Sequence, residues 1–235
     1  MIRPEAFHYK KLFDIIIYDQ MGTEGEEMKK ILAISGSYRK GRTIDTMIDK
    51  AVEGIRSADA SIEVEKIYLT DKNIEYCRGC MTCFGSDPSK SLADCVIEDD
   101  MKELCKKLDE ADGYIFGTPI FMGTITALMK TFCERFTWIL SKPGNKPLKG
   151  CPAPRTERKK SAVIIMSTSI VPPVFRKFCD DATKFFKENL PCMLNAKVIG
   201  SLYAGKVGVG KTDAGAYYYK SAALGRKLAV SITDS

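Results

Sequence analysis

A chain of 235 residues with 45% hydrophobic content is long enough to bury the core of one α/β domain. Its longest early apolar run, residues 13–18, is far too short to span a bilayer, and the net charge of +6 is too modest and too dispersed to select nucleic acid over a small anion. Nine cysteines, an odd number with no secretory leader ahead of them, point to a reducing, cytoplasmic setting and to metal or redox thiols over a disulfide framework.

Residues 1–27 read as an extension to a domain covering 28–235. They contain His8 and end in the polar run Gly22-Thr23-Glu24-Gly25-Glu26-Glu27. His8 is the chain's one histidine, so histidine-based acid–base or Ser-His chemistry is unavailable to everything after it. A short apolar strand at 31–35 then enters the loop Gly36-Ser37-Tyr38-Arg39-Lys40-Gly41-Arg42-Thr43. The helix beyond carries Ile44, Met47, Ile48, Ala51, Val52 and Ile55 at helical spacing. A strand feeding a helix through such a loop aims backbone N–H groups and the positive end of the helix dipole at one point, an anion site that Arg39, Lys40 and Arg42 reinforce. The pattern is neither the dinucleotide fingerprint nor a Walker motif.

Ile62, Val64 and Leu69 alternate with charged residues as an edge strand should, and a cysteine-rich loop follows. A helix is expected from about Asp99, its acidic start Glu98-Asp99-Asp100 complementing the dipole. Gly113-Tyr114-Ile115-Phe116-Gly117 is a strand buried on both faces, 118–124 a loop, and Ile125, Leu128, Met129, Phe132, Cys133 and Phe136 the next helix. Residues 141–160 form a surface loop whose basic run, 155–160, is a solvated face; no aromatics interleave with it, which argues against nucleic acid. A strand at 162–166 precedes a helix with a core-facing stripe of Phe175, Phe178, Cys179, Ala182, Phe185 and Phe186. A strand at 198–204 and a helix at 214–230 complete the chain.

Five strands alternating with five helices predict a doubly wound parallel α/β sheet, with a ligand at the carboxyl ends of the strands beside the first. The loops placed there are 36–43, 77–95, 118–124 and 167–172.

Three segments in register carry a specific resemblance: Ile34-Ser35-Gly36-Ser37-Tyr38-Arg39-Lys40-Gly41; Cys77-Arg78-Gly79-Cys80-Met81-Thr82-Cys83 with Cys95-Val96-Ile97-Glu98-Asp99-Asp100-Met101; and Thr118-Pro119-Ile120-Phe121-Met122-Gly123. From about Met28 onward the chain resembles the NADPH-dependent FMN reductase-like flavodoxin-fold proteins, and most of all their iron–sulfur flavoprotein branch. The resemblance implies that Ser37, Arg39, Gly41, Thr43 and Ile44 hold an FMN phosphate, while Thr118, Pro119, Ile120, Phe121, Met122 and Gly123 lie along the isoalloxazine ring. Tyr38 and Thr43 stand where family members commonly have Pro and Asn. It further implies NAD(P)H as reductant, a quinone or other small molecule as acceptor, and a homo-oligomer. An FMN/iron–sulfur carrier between protein partners is the alternative.

Cys77, Cys80, Cys83 and Cys95 are the candidate ligands of a [4Fe–4S] cluster, with structural zinc and free or redox-active thiols as the other readings. Relatives with a cluster have a shorter gap before the fourth cysteine; here eleven residues, Phe84 to Asp94, intervene. Extra loop length costs little closure entropy, so the insertion does not forbid a cluster. Cys105, Cys133 and Cys179 read as core, and Cys151 and Cys192 have no assignment. Gly205-Lys206-Val207-Gly208-Val209-Gly210-Lys211-Thr212 matches a P-loop in letters, but only 23 residues follow, too few for the strands that would supply its Mg²⁺ carboxylate, and a flexible turn is the preferred reading.

Overall fold

The computed structural model describes residues 28–144, 151–207 and 215–234. The extension at 1–27 and residues 208–212 of the P-loop-like segment lie outside them. Five strands, β1 (Lys30–Ser35), β2 (Glu63–Tyr68), β3 (Gly113–Pro119), β6 (Lys160–Ser167) and β7 (Ala196–Ala204), pair in parallel in the order β2-β1-β3-β6-β7. This is the flavodoxin-like winding expected from the sequence, with the switch in strand order between β1 and β3. A minor antiparallel pair, β4 (Ser141–Lys142) and β5 (Ala153–Pro154), sits apart from the sheet within the expected surface loop.

Alternation along each central strand sends apolar side chains to both faces. Leu32, Ile34, Tyr114, Phe116, Ile164 and Met166 pack under α2 (Met101–Glu110), α3 (Ala127–Leu140) and α5 (Asp181–Leu194). Ile31, Ala33, Ile115, Val163 and Ile165 meet α1 (Thr43–Ala58) and α6 (Gly215–Thr233) on the other side. The α1–α6 crossing is built from small residues. A Cβ on Gly54 would collide with the backbone of Ala222, and one on Gly225 with that of Ala51.

The aromatic stripe expected across 175–186 is interrupted. A short α4 (Arg176–Cys179) ends at Asp180, whose carboxylate accepts from Thr183 N–H and caps α5. Phe186 and Ala182 are buried, but Phe175 and Phe178 are exposed and Cys179 is half-buried, because the break turns the first half of the stripe away from the sheet. The basic run 155–160 also departs from expectation. Arg155 and Lys160 are buried, and Arg158 pairs with Asp112. Lys160 Nζ donates to Leu108 O at 2.8 Å, Asp109 O at 2.6 Å and Tyr114 Oη at 3.1 Å, so it satisfies carbonyls at the C-terminal end of α2. Cys151 and Cys192, unassigned by sequence, form a disulfide with Cα atoms 5.9 Å apart, an ordinary span for such a bridge. The other seven cysteines are free, with Cys105 and Cys133 in the core as expected.

Burial pulls the Lys160 amine from 10.5 down to about 8. Between those two values the unfolded chain binds more protons than the native one, so this group makes stability rise with pH. Denaturant unfolding from pH 7 to 11 should show the wild type gaining on Lys160→Met across that window. Gly225→Ala should lower stability by about 1–3 kcal/mol through overpacking. Less the ~1 kcal/mol that alanine's helix propensity contributes, the net loss reaches about 2 kcal/mol, and urea denaturation measures it.

Candidate active site

At the switch point three loops converge on a cleft lined by Ser37, Tyr38, Arg39, Arg42, Thr43, Ile44, Pro119, Ile120, Phe121, Ser167, Ser169 and Val207. Its walls begin where the sheet ends. Past the last β1–β3 rung, Gly36 N–H donates to Gly117 O at 2.8 Å. The buried Thr126 hydroxyl donates to Gly36 O at 2.8 Å and accepts from Met129 N–H at 3.2 Å, capping α3. Gly36 is required here, since a Cβ would press into the Met129 side chain.

One end of the cleft is built for an anion. Gly41, at φ +65°, turns the chain into α1, and Arg42 occupies the N-cap without any side-chain cap, which leaves first-turn N–H groups open. The Arg39 and Arg42 guanidinium groups are exposed and have no hydrogen-bond or ion-pair partner among the described residues, whereas Lys40 is tied to Asp71 at 2.5 Å. Ser37 is nearly buried, its Oγ accepting from Arg39 N–H at 3.2 Å. Beneath the loop, Asp45 accepts from Gly41 N–H and from Tyr68 Oη at 2.9 Å and pairs with Lys66. Burial alone would raise its carboxyl, but bonds from Lys66, Gly41 and Tyr68 outweigh that and hold it below the usual carboxylate value. Asp45 is therefore a fixed anion spent on bracing the loop.

The other end is flat and apolar. Thr118 is fully buried behind it, Pro119 closes β3, and Ile120 N–H donates to Ser167 O at 2.8 Å. Phe121 and Thr124 exchange both backbone bonds at 3.0 Å across a two-residue turn with Met122 at φ +51° and Gly123 at φ +82°. Positive φ at both central residues is the signature of a type I′ turn.

Of the sequence-predicted residues, Ser37, Arg39, Thr43, Ile44, Pro119, Ile120 and Phe121 line the cleft. Gly41, Thr118, Met122 and Gly123 shape its walls from behind or from the tip. The sequence reading missed Ser167, Ser169 and Val207, which arrive from the ends of β6 and β7. For the two serines the placement of 167–172 among the edge loops was the available signal. The residues present fit a phosphate-bearing planar group: two unpaired cations, an open helix N-terminus and a buried hydroxyl at one end, and an apolar turn at the other.

The cysteine loop lines none of this cleft. Arg135, buried in α3, holds both flanks of the loop. Its Nη1 donates to Glu75 O at 2.7 Å and to Asp99 Oδ2 at 2.5 Å, and its Nη2 donates to Asp99 Oδ1 at 3.0 Å and meets Cys95 Sγ at 3.7 Å. Asp99, expected at the acidic start of α2, accepts there from Met101 N–H at 3.1 Å and is also turned inward to Arg135. The eleven-residue insertion is pinned by Arg155, whose Nη1 donates to Asp87 O at 2.7 Å and Lys90 O at 3.2 Å, and by Phe84 packed edge-on against Trp138. Cys77 and Cys80 are exposed, and Cys83 and Cys95 half-buried. Burial, with Cys95 and Cys77 nearby, pushes the Cys83 thiol up, while a hydrogen bond with Thr82 draws Cys80 down. Among the described residues no three cysteine, histidine or carboxylate side chains gather closely enough to hold a metal. The four thiols as placed do not form a cluster's ligand set.

Solved structures share the fold. An FMN-dependent NADH-azoreductase from Bacillus anthracis, crystallised with FMN, matches with a TM-score of 0.64 at 12% identity over 86% of this chain and 100% of its own. An NAD(P)H:quinone oxidoreductase from Methanothermobacter marburgensis matches at 0.63 and 14% identity, over 85% and 98%. Among curated proteins, an iron–sulfur flavoprotein of Archaeoglobus fulgidus is 37% identical over 106 residues, 45% of this chain and 44% of that protein. Iron–sulfur flavoprotein MJ1083 of Methanocaldococcus jannaschii is also 37% identical over 106 residues, 45% of this chain and 51% of its own length. The chain spans about half the length of the curated relatives it matches. The family profile of NADPH-dependent FMN reductase matches residues 29–171, more than half of the chain, and the protein belongs to that family.

Proposed function

We propose that the protein is an FMN-dependent oxidoreductase that takes a hydride from NAD(P)H and passes electrons to a quinone or another small acceptor. One observation carries the reading: unpaired Arg39 and Arg42 flank the open N-terminus of α1, across the cleft from the flat Pro119–Ile120–Phe121 wall. Bound FMN would supply the hydride and electron chemistry. The chain supplies grip and shape. Ser37, Arg39, Thr43 and the first-turn N–H groups of α1 would take the phosphate, with Arg39 and Arg42 neutralising its charge. Gly123 at the turn lets backbone approach a flat ring where a side chain would intrude. Residues 28–235 need no histidine for this, since no protein nucleophile takes part.

The relatives' names support a finer, iron–sulfur reading, for which Cys77, Cys80, Cys83 and Cys95 would be the ligands of a [4Fe–4S] cluster. The thiols as placed among the described residues do not gather for it, and no step of the proposed reaction is routed through one. Homo-oligomerisation and a cytoplasmic setting complete the proposal. Among the described residues no helix is long and apolar enough to cross a membrane.

Titrating the protein with FMN, followed by quenching of flavin fluorescence, should give stoichiometric binding, and riboflavin, which lacks the phosphate, should bind at least tenfold more weakly. Arg39→Ala should weaken FMN by about tenfold to a hundredfold, the worth of a charge-assisted hydrogen bond, and leave riboflavin little changed. Equal affinity for the two flavins in the wild type would sink the phosphate assignment. With FMN bound and a quinone present, steady NAD(P)H oxidation is expected; reduction by a protein donor alone would instead favour an electron carrier.

A further inference from the structure

The two loops that make the cleft are joined twice. The inner joint is the buried Thr126 hydroxyl on Gly36 O. The outer joint is Tyr38. Its ring stacks on that of Phe121, with centroids 5.9 Å apart and planes 22° from parallel, and its Oη accepts from Leu128 N–H at 3.4 Å. That amide is in the first turn of α3 and has no partner within the helix, so the tyrosine is fixed at its tip as well as along its face.

The turn carrying Phe121 is otherwise held from behind. Ile120 N–H reaches Ser167 O, and Asp181 N–H donates to Gly123 O, both at 2.8 Å. Neither bond fixes the Phe121 ring on the cleft side, and both rings of the stack remain half exposed. Met122 at the tip is fully exposed at φ +51°, a conformation that non-glycine residues hold only when their surroundings impose it.

We propose that Tyr38 is a positioning residue: it latches the anion loop to the ring-side turn and holds Phe121 at the mouth of the cleft before a flavin enters. The inference rests on the flavin reading of the cleft. A preformed wall spares the ligand the entropy of ordering it, so the latch contributes to affinity without itself gripping the phosphate. A stack of this kind is worth about threefold to tenfold in binding.

The test compares FMN and riboflavin binding to the full-length wild type, Tyr38→Phe, Tyr38→Ala and Tyr38→Pro by fluorescence titration, with thermal midpoints of the flavin-free proteins alongside. Tyr38→Ala and Tyr38→Pro should weaken both flavins about threefold to tenfold by the same factor, because the latch acts at the ring end. Tyr38→Phe should recover most of the loss, and the flavin-free midpoints should stay together, since a half-exposed side chain contributes little to the core. A loss below twofold in Tyr38→Ala overturns the latch. So does a loss confined to FMN; a loss that Tyr38→Phe shares in full overturns the stack as the working contact and assigns the latch to the Oη–Leu128 bond. If Tyr38→Ala proves unstable, Tyr38→Leu keeps the bulk without the stack and is held to the same thresholds. A wild type that takes up neither flavin defeats the reading of the site itself, an outcome separate from a wild type that binds and a latch that does not matter.

Discussion

Everything at the working edge of this molecule depends on a seam one residue beyond the β1–β3 ladder. There Gly36 continues the hydrogen bonding by reaching Gly117 O, and Thr126 takes the Gly36 carbonyl while capping α3. A parallel sheet leaves its terminal backbone groups unpaired at this edge, and burying them without partners would cost several kcal/mol. Satisfying them through Thr126 fixes the relative height of the two loops. The phosphate-side cations and the ring-side wall then face each other as a consequence of strand order.

The same seam explains which parts of the site were legible in sequence. Helical and strand periodicities named the central elements, because burial on both faces leaves an unmistakable apolar pattern. The anion loop and the turn after β3 were legible because glycine, serine and arginine at fixed offsets reflect local backbone needs. Ser167 and Ser169 were legible only as part of the loop 167–172 placed at that edge, and Val207 was not, since nothing local distinguishes a strand end that touches the cleft from one that does not. Arg155 and Lys160 misled for a related reason. A basic run beside prolines reads as solvated, and only the tertiary fold brings the carbonyls of residues 87, 90, 108 and 109 that accept from them. The stripe of 175–186 failed at Asp180, where a capping preference of one residue overrode the periodicity of the rest.

The cysteine loop shows a second design beside the first. Its attachments run to the middle and end of α3 and to the β4–β5 pair, through Arg135, Trp138 and Arg155, while the cleft is held through the start of α3. One helix thus serves two sites from opposite ends. The insertion of residues 84–94 lengthens the loop without touching the flavin-side wall, in keeping with the small entropic cost of longer loops.

The Arg135–Asp99 pair sets a rule for how this sequence can drift. Both side chains are all but sealed from solvent, at 1% and 0% exposure, and losing either leaves the other charged and uncompensated. That costs about 3–5 kcal/mol, a large share of a domain's whole margin of ~5–15 kcal/mol. Replacing both by apolar groups of matching volume is far cheaper. Descendants of this chain should therefore keep the two positions or exchange them together, so covariation between residues 99 and 135 would trace which lineages still anchor a cysteine loop at this edge.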